Sequence, residues 1–231
     1  MKISNINLAI TFLLFSLAIP ISWAAEEQAK CYGVSTLLYS NSNMDLIICH
    51  GEYTKINVSK LDQWQDCADA IIQVRNKKQN IVYQYADCSP TGSKQFSVHG
   101  GLFKLRHYYT EYPGFKERPL LIETLDLATS VKQYEFIKKF PVCSKKNIDD
   151  AIAQINLTVA KPSDMRTYFD SVYGGFYKLR DCANDYPSVV LETLKKYGND
   201  GIFDGEVAET LDAVTGEVEL ISAALTRNKM K

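Results

Sequence analysis

A mainly α-helical, disulfide-stapled domain built from a diverged internal duplication, with some extended or irregular structure near its N-terminus, is the fold the sequence predicts. Three observations predict it: six cysteines behind an export-type leader, a motif at 98–113 that recurs at 172–187, and apolar spacings of three and four along much of the chain.

The leader comes first. Basic Lys2 precedes an apolar run from Ile6 to Ile21, broken only by Asn7, Thr11, Ser16 and Pro20, and small residues Ser22 and Ala24 occupy the −3 and −1 places. These are the three parts of a secretory signal peptide, so residues 1–24 are expected to be cleaved and the mature chain to be secreted or periplasmic. No later segment approaches the roughly 18 apolar residues of a membrane span, so none is expected after cleavage.

The chain holds 26 Lys and Arg against 27 Asp and Glu, and losing Lys2 with the leader leaves 25 against 27. So even a balance offers no electrostatic reason to expect nucleic acid or an anionic membrane as partner. All six cysteines, Cys31, Cys49, Cys67, Cys88, Cys143 and Cys182, lie beyond the leader. An even number in an exported chain points to disulfides, with near neighbours paired, such as Cys67 with Cys88 and Cys143 with Cys182. None has CxxC spacing, the signature of a thioredoxin-like centre or a zinc ribbon.

The repeat organises the rest. Residues 98–113 read VHGGLFKLRHYYTEYP and residues 172–187 read VYGGFYKLRDCANDYP. Further on, Leu121-Ile122-Glu123-Thr124-Leu125 matches Val190-Leu191-Glu192-Thr193-Leu194, and upstream Asp69-Ala70-Ile71-Ile72-Gln73 matches Asp150-Ala151-Ile152-Ala153-Gln154. Two copies of one helical unit account for all three matches. The expected divisions are a leader at 1–24, an N-terminal segment at 25–66, repeat unit 1 at 67–143, and repeat unit 2 with a C-terminal helix at 144–231.

Helical spacing is read at Leu61, Trp64, Ala68, Ile71, Ile72 and Arg75, opened by a capping box of Ser59 and Asp62. A further helix is expected from Pro119 towards Phe140. In the second unit Asn147 and Asp150 open a helix carrying Ile148, Ile152, Ile155 and Val159. Ser163 is the expected cap of the next, running to about Ala183, and Val189 to Tyr197 makes a shorter one ended by Gly198. Val207, Leu211, Val214, Val218, Ile221 and Leu225 stripe a last helix from Gly205, acidic at its start and basic at its end. Val34 to Tyr39 and Leu46 to Cys49 could be strands or short helices, and Ile81 to Tyr83 could be a strand.

Few patterns carry chemistry. The repeated Gly-Gly pair fits neither GxxxxGK[ST] nor GxGxxG, and is read as a place where a neighbouring backbone passes close or a helix starts or kinks. Lys104 and Arg106, matched by Lys178 and Arg180, either fix helix ends and carboxylates within each unit or face each other across a pseudo-twofold cleft suited to an anion. His99 and His107 lie two helical turns apart without the further ligands a zinc site needs. Asn199 to Gly205 fails as a calcium loop in both registers and is read as a turn. Asn57-Val58-Ser59 and Asn156-Leu157-Thr158 fit the glycosylation pattern. Tyr108, Tyr109, Tyr112, Tyr168, Tyr173 and Tyr177 concentrate in the repeats, as at a tyrosine-rich binding face.

The expectation is an exported, non-catalytic binding or interaction protein, contacting a protein or small ligand through Lys104, Arg106, Lys178, Arg180, Tyr109, Tyr173 and Tyr177. No cofactor, metal or catalytic residue is expected. The competing expectation is a small secreted hydrolase assembled from His99, His107, Lys104 and Arg106. An enzyme gathers a histidine and a carboxylate in a deep pocket, whereas a binder shows a broad apolar or tyrosine-rich patch.

Overall fold

The computed structural model describes residues 33–51, 56–67, 70–88, 94–161 and 164–229. The leader, Cys31, Pro162, Ser163 and the side chains of Ala68 and Cys88 fall outside that description. In chain order the elements are β1 (Val34–Ser40), β2 (Met44–His50), β3 (Gln65–Asp66), β4 (Ala70–Asn76), β5 (Ile81–Cys88), β6 (Gln95–His99), β7 (Leu102–Glu111), β8 (Lys116–Asp126) and β9 (Lys132–Phe136). The helices follow: α1 (Lys145–Ala160), α2 (Met165–Asp181), α3 (Pro187–Asn199) and α4 (Gly205–Lys229). One antiparallel sheet has the order β1-β2-β4-β5 and the other β3-β6-β7-β8-β9.

The chain is therefore not mainly α, and the repeated motif does not make a repeated structure. Its first copy is a β-hairpin and its second a helix. In the first copy Gly100 and Gly101 have φ of 56° and 80°, the left-handed pair that a two-residue hairpin turn needs, and Val98 and His99 pair with Phe103 and Leu102 on either side. In the second copy Gly174 and Gly175 lie inside α2, where a Cβ on Gly175 would run into the Ile155 side chain of α1. The same dipeptide serves a turn in one place and close helix packing in the other.

Flanking residues choose between the two outcomes. Before the first Gly-Gly, apolar Phe96 and Val98 alternate with polar Gln95 and Ser97, the period of a strand. Before the second, Asp164 caps α2 by accepting from the Thr167 N–H, and the buried Val172, Phe176 and Leu179 follow the helical period. The second match behaves likewise. Leu121, Glu123 and Leu125 are buried along β8, whereas Val190, Leu194 and Tyr197 are buried along α3, which has Pro187 at its first turn. The third divides between β4 and α1.

Two expected helices are thus overturned. The stretch from Leu61 to Arg75 follows a short 3₁₀ turn, Val58–Lys60, capped by Asn57 rather than Ser59, and holds β3 and most of β4. In β4 the β-branched Ile72 and Val74 alternate with Ala70 into the core, a pattern that outweighs the looser helical spacing. The stretch from Pro119 to Phe140 is β8 and β9. The extended readings at 34–39, 46–49 and 81–83 agree with β1, β2 and β5, and the helices beyond Ser144 stand within a few residues of expectation. Ser144 and Asn147 form the capping box of α1, and 199–205 is the turn before α4.

Two cores result. Leu46, Ile48, Ile72 and Val74 of the first sheet meet Phe96, Phe103, Leu105 and Leu125 of the second. The helices gather a separate core around Phe176, Leu194, Leu211 and Val218, and Leu120 and Leu121 of β8 join it with Tyr109 and Phe136 beside them. β7 and β8 thus run from one core into the other. The Cys143–Cys182 disulfide, with Cα atoms 5.3 Å apart, ties the segment before α1 to the end of α2. Cys49 and Cys67 are also disulfide-bonded, and no described cysteine is free. Among the described residues no helix is long and apolar enough to cross a membrane.

Candidate functional site

The β7–β8 hairpin ends in Tyr112-Pro113-Gly114-Phe115, and this tip lies against α2. Alternation along β7 sends Phe103 and Leu105 into the sheet core, then Tyr109 towards the helices, while Lys104, Arg106 and Tyr108 occupy the opposite face. On that face Arg106 stacks over Trp64 at 3.9 Å from the ring centroid, and both Arg106 and Tyr108 donate to the Gln95 side chain. Lys104 is exposed there.

Of the residues singled out from the sequence, Tyr109, Tyr177, Lys178 and Arg180 come together. They line a cleft of ≈ 430 Å³ between the hairpin tip and α2, together with Tyr112 and Lys138. Lys104 and Arg106 are not in it, so no basic quartet spans a pseudo-twofold axis. One KLR lies on a strand and the other on a helix, and the two therefore present their side chains in unrelated directions.

Arg180 is the centre of this cleft and is only 2% exposed. Its Nη1 donates to the Thr110 carbonyl at 2.6 Å and to Glu217 of α4 at 3.0 Å, while Nε and Nη2 both donate to Asp181. Glu217 in turn accepts from the Thr110 N–H, so the Arg–Glu pair engages both main-chain polar groups of Thr110 in β7. Burial raises the Glu217 carboxyl above the usual range, against the opposing pull of Arg180. Tyr177 is pushed up to about 12 by burial and by the Glu217 charge. Lys138 lies 3.9 Å from the Tyr109 ring centroid and 3.3 Å from Asp181, and Lys178 donates to Gln154. Each cation of the cleft is already engaged, which makes this clasp the joint between hairpin and helices.

The other flank of the tip differs. Phe115, Met165, Arg166, Phe169, Tyr173 and Glu206 line a hollow of ≈ 420 Å³ that also touches Asp170. Phe115 is 55% exposed and Met165 74% exposed. The rings form a continuous series. Tyr177 stacks on Tyr112 at 5.5 Å, Tyr112 meets Phe115 edge-on at 5.7 Å, Phe115 meets Tyr173 edge-on at 6.0 Å, and Tyr173 stacks on Phe169 at 5.6 Å. Tyr112 also donates to Asp170. Tyr173 forms the floor, 3% exposed, with its hydroxyl buried beside Thr210 and Glu206.

Phe115, Met165, Phe169, Lys138, Glu206 and Glu217 were not singled out from the sequence. The signal for the tip was there: Pro113-Gly114 is a turn dipeptide between two alternating runs. The histidines separate. His99 is exposed beside the glycine turn, while His107 bonds Glu123 at 3.2 Å in a buried cluster with Lys132 and Tyr85 that belongs to neither hollow. The hydrolase set of His99, His107, Lys104 and Arg106 is therefore not gathered at one place. Among the described residues no group of three or more His, Cys, Asp or Glu could hold a metal ion. No protein-family model, curated protein or solved structure matches this chain.

Proposed function

We propose that this chain is an exported binding protein that contacts a partner protein, without catalysis, through the β7–β8 hairpin tip and the adjoining face of α2. The observation that carries the reading is Phe115. It is more than half exposed and has φ of 50°, a conformation costing a non-glycine residue roughly 1–2 kcal/mol, yet it is held by edge contacts to Tyr112 and Tyr173. Rings held in a strained, exposed posture beside an exposed Met165 make the kind of apolar patch that partners bury. Export rests on the tripartite leader, and the Cys143–Cys182 disulfide is compatible with an oxidising compartment.

The test is capture from the native exported fraction with the wild-type chain and with a Phe115→Ser, Met165→Ser double variant. The wild type should retain a reproducible partner, and the variant should lose it with an unchanged melting temperature. Equal capture by both chains refutes the assignment of this face. N-terminal sequencing of the exported chain should begin at or near Ala25, and a product retaining Met1 refutes cleavage.

A further inference from the structure

Cys49 is disulfide-bonded and only 4% exposed, and its place in the first sheet eliminates every partner but one. Cys143 and Cys182 are bonded to each other. Cys67 lies in the core between the sheets with Leu46 and Ile48. Cys49 follows Ile48 in β2, so its side chain leaves the opposite face of the sheet, the face of the paired Ile47 and Gln73. A bridge from Cys49 to Cys67 would have to pass through the sheet. Cys88 stands in β5 opposite Ala70, and β4 separates β5 from β2. Two strand spacings put its Cα about 9–10 Å from that of Cys49, beyond the roughly 7 Å that a disulfide spans. Cys31 remains. The chain that leads to it starts from the right place. Ser35 pairs with Cys49, and the backbone at Gly33 passes so close to the His50 carbonyl that a Cβ there would collide with it. Cys31 is four residues from Ser35, within about 14 Å of contour, so a single reverse turn suffices to reach Cys49.

We propose that Cys31 and Cys49 form a disulfide that staples the start of β1 to β2, which leaves Cys67 to pair with Cys88. Strand β1 is where such a staple acts. It is an edge of its sheet, paired among the described residues through β2 alone, and it carries no charged residue or proline to keep other strands away. The Asn41–Met44 turn closes one end of the β1–β2 hairpin, and the disulfide closes the other. With both ends held, β1 cannot peel from β2 without also stretching a covalent loop. Formation of the bond oxidises two thiols. The Cys31 and Cys49 sulfurs join, two protons leave to water, and two electrons pass by thiol–disulfide exchange to an oxidised dithiol protein, whose own disulfide is reduced. The staple neither uses nor presupposes the contact face at the β7–β8 tip.

The test is peptide mapping of the full chain from the native exported fraction, kept unreduced, with free thiols blocked by N-ethylmaleimide at acid pH before denaturation. Cleavage after Lys and Arg and before Asp separates all the cysteines, with Cys31 in 31–44, Cys49 in 45–55, Cys67 in 66–68 and Cys88 in 87–94. Mass spectrometry should find 31–44 linked to 45–55, and 66–68 linked to 87–94. A link from 45–55 to either of the other two peptides, or maleimide on Cys31 or Cys49, overturns the assignment. The hold on β1 is read separately by amide hydrogen exchange. Cys31→Ser leaves Cys49 in place as a thiol and should speed exchange at the β1 amides about tenfold, while the amides of α1 to α4 keep their rates. Unchanged exchange in β1, or the same acceleration in the helices, refutes the stapling role.

Discussion

Two adjacent glycines in α2 should respond to the same substitution with opposite signs. A Cβ on Gly175 would stand 2.9 Å from Cδ1 of Ile155 and closer still to its Cγ1. Ordinary carbon contacts are about 3.5–4 Å, so the side chain or the whole of α1 must shift by the better part of an ångström. Ile155 is fully buried and, being β-branched in a helix, has essentially one χ1 setting. Overpacking of this kind costs roughly 1–3 kcal/mol, against about 1 kcal/mol returned by alanine's better helix propensity. Gly175→Ala should therefore destabilise by up to about 2 kcal/mol, a fall in melting temperature of up to roughly 8 °C for a chain of this size. Gly174 is different. Its added methyl meets Tyr112 at 3.5 Å and Gln154 at 3.6 Å, ordinary contacts, so Gly174→Ala should raise the melting temperature by roughly 2–4 °C. Circular-dichroism melts of both variants, with Ile155→Ala added as a cycle, decide it. In the Ile155→Ala background the Gly175→Ala penalty should vanish. A melting temperature that moves the same way in both single variants refutes the packing argument.

Two further predictions concern buried charge. Burial opposes ionisation of Glu123, but the His107 hydrogen bond and the Lys132 ammonium outweigh it and hold the carboxyl at about 2, against an ordinary 4.5. A depressed carboxyl contributes its stability, here about 3 kcal/mol, fully above its unfolded value and loses it as pH falls through the folded one. The stability difference between wild type and Glu123→Gln, read from urea midpoints, should therefore shrink from pH 5 to pH 2; a pH-independent difference tells against it. Arg180→Met strips Glu217 and the Thr110 carbonyl of their buried partner and should cost about 3–5 kcal/mol, whereas Arg180→Met with Glu217→Leu should cost less. If the double variant is as unstable as the single one or worse, the clasp is not what makes Arg180 indispensable.

The candidate site was only partly legible beforehand. Lys178 and Arg180 could be singled out because they recur in both copies, and Tyr109, Tyr173 and Tyr177 because tyrosines concentrate in the copies, and all belong to the hairpin–α2 face. Phe115, Phe169 and Glu206 could not, because nothing in their neighbourhood repeats, and they meet only when β7–β8, α2 and the start of α4 are brought together. Lys104 and Arg106 were singled out for the same reason as Lys178 and Arg180, yet a strand turns them to the opposite face.

By itself the sequence placed the helices beyond Ser144 to within a few residues, through local signals such as proline at 187 and the stripe of α4, although the caps are Ser144 and Asp164 where Asn147 and Ser163 were expected. Even cysteine count and proximity pointed to pairing of near neighbours, with which the Cys143–Cys182 link agrees. Tertiary structure decided what the first copy of the repeated motif becomes. VxGGxxKLR and ETL are compatible with periods of both two and four, and Gly-Gly is as apt for a left-handed turn as for a close helix crossing. A strand gains its hydrogen bonds only from partners distant in sequence, so the choice for 98–125 lay with β6, β7 and β8 pairing over the sheet core. For 172–194 local caps already favoured helix, and the tertiary structure added the close packing of Ile155 on Gly175.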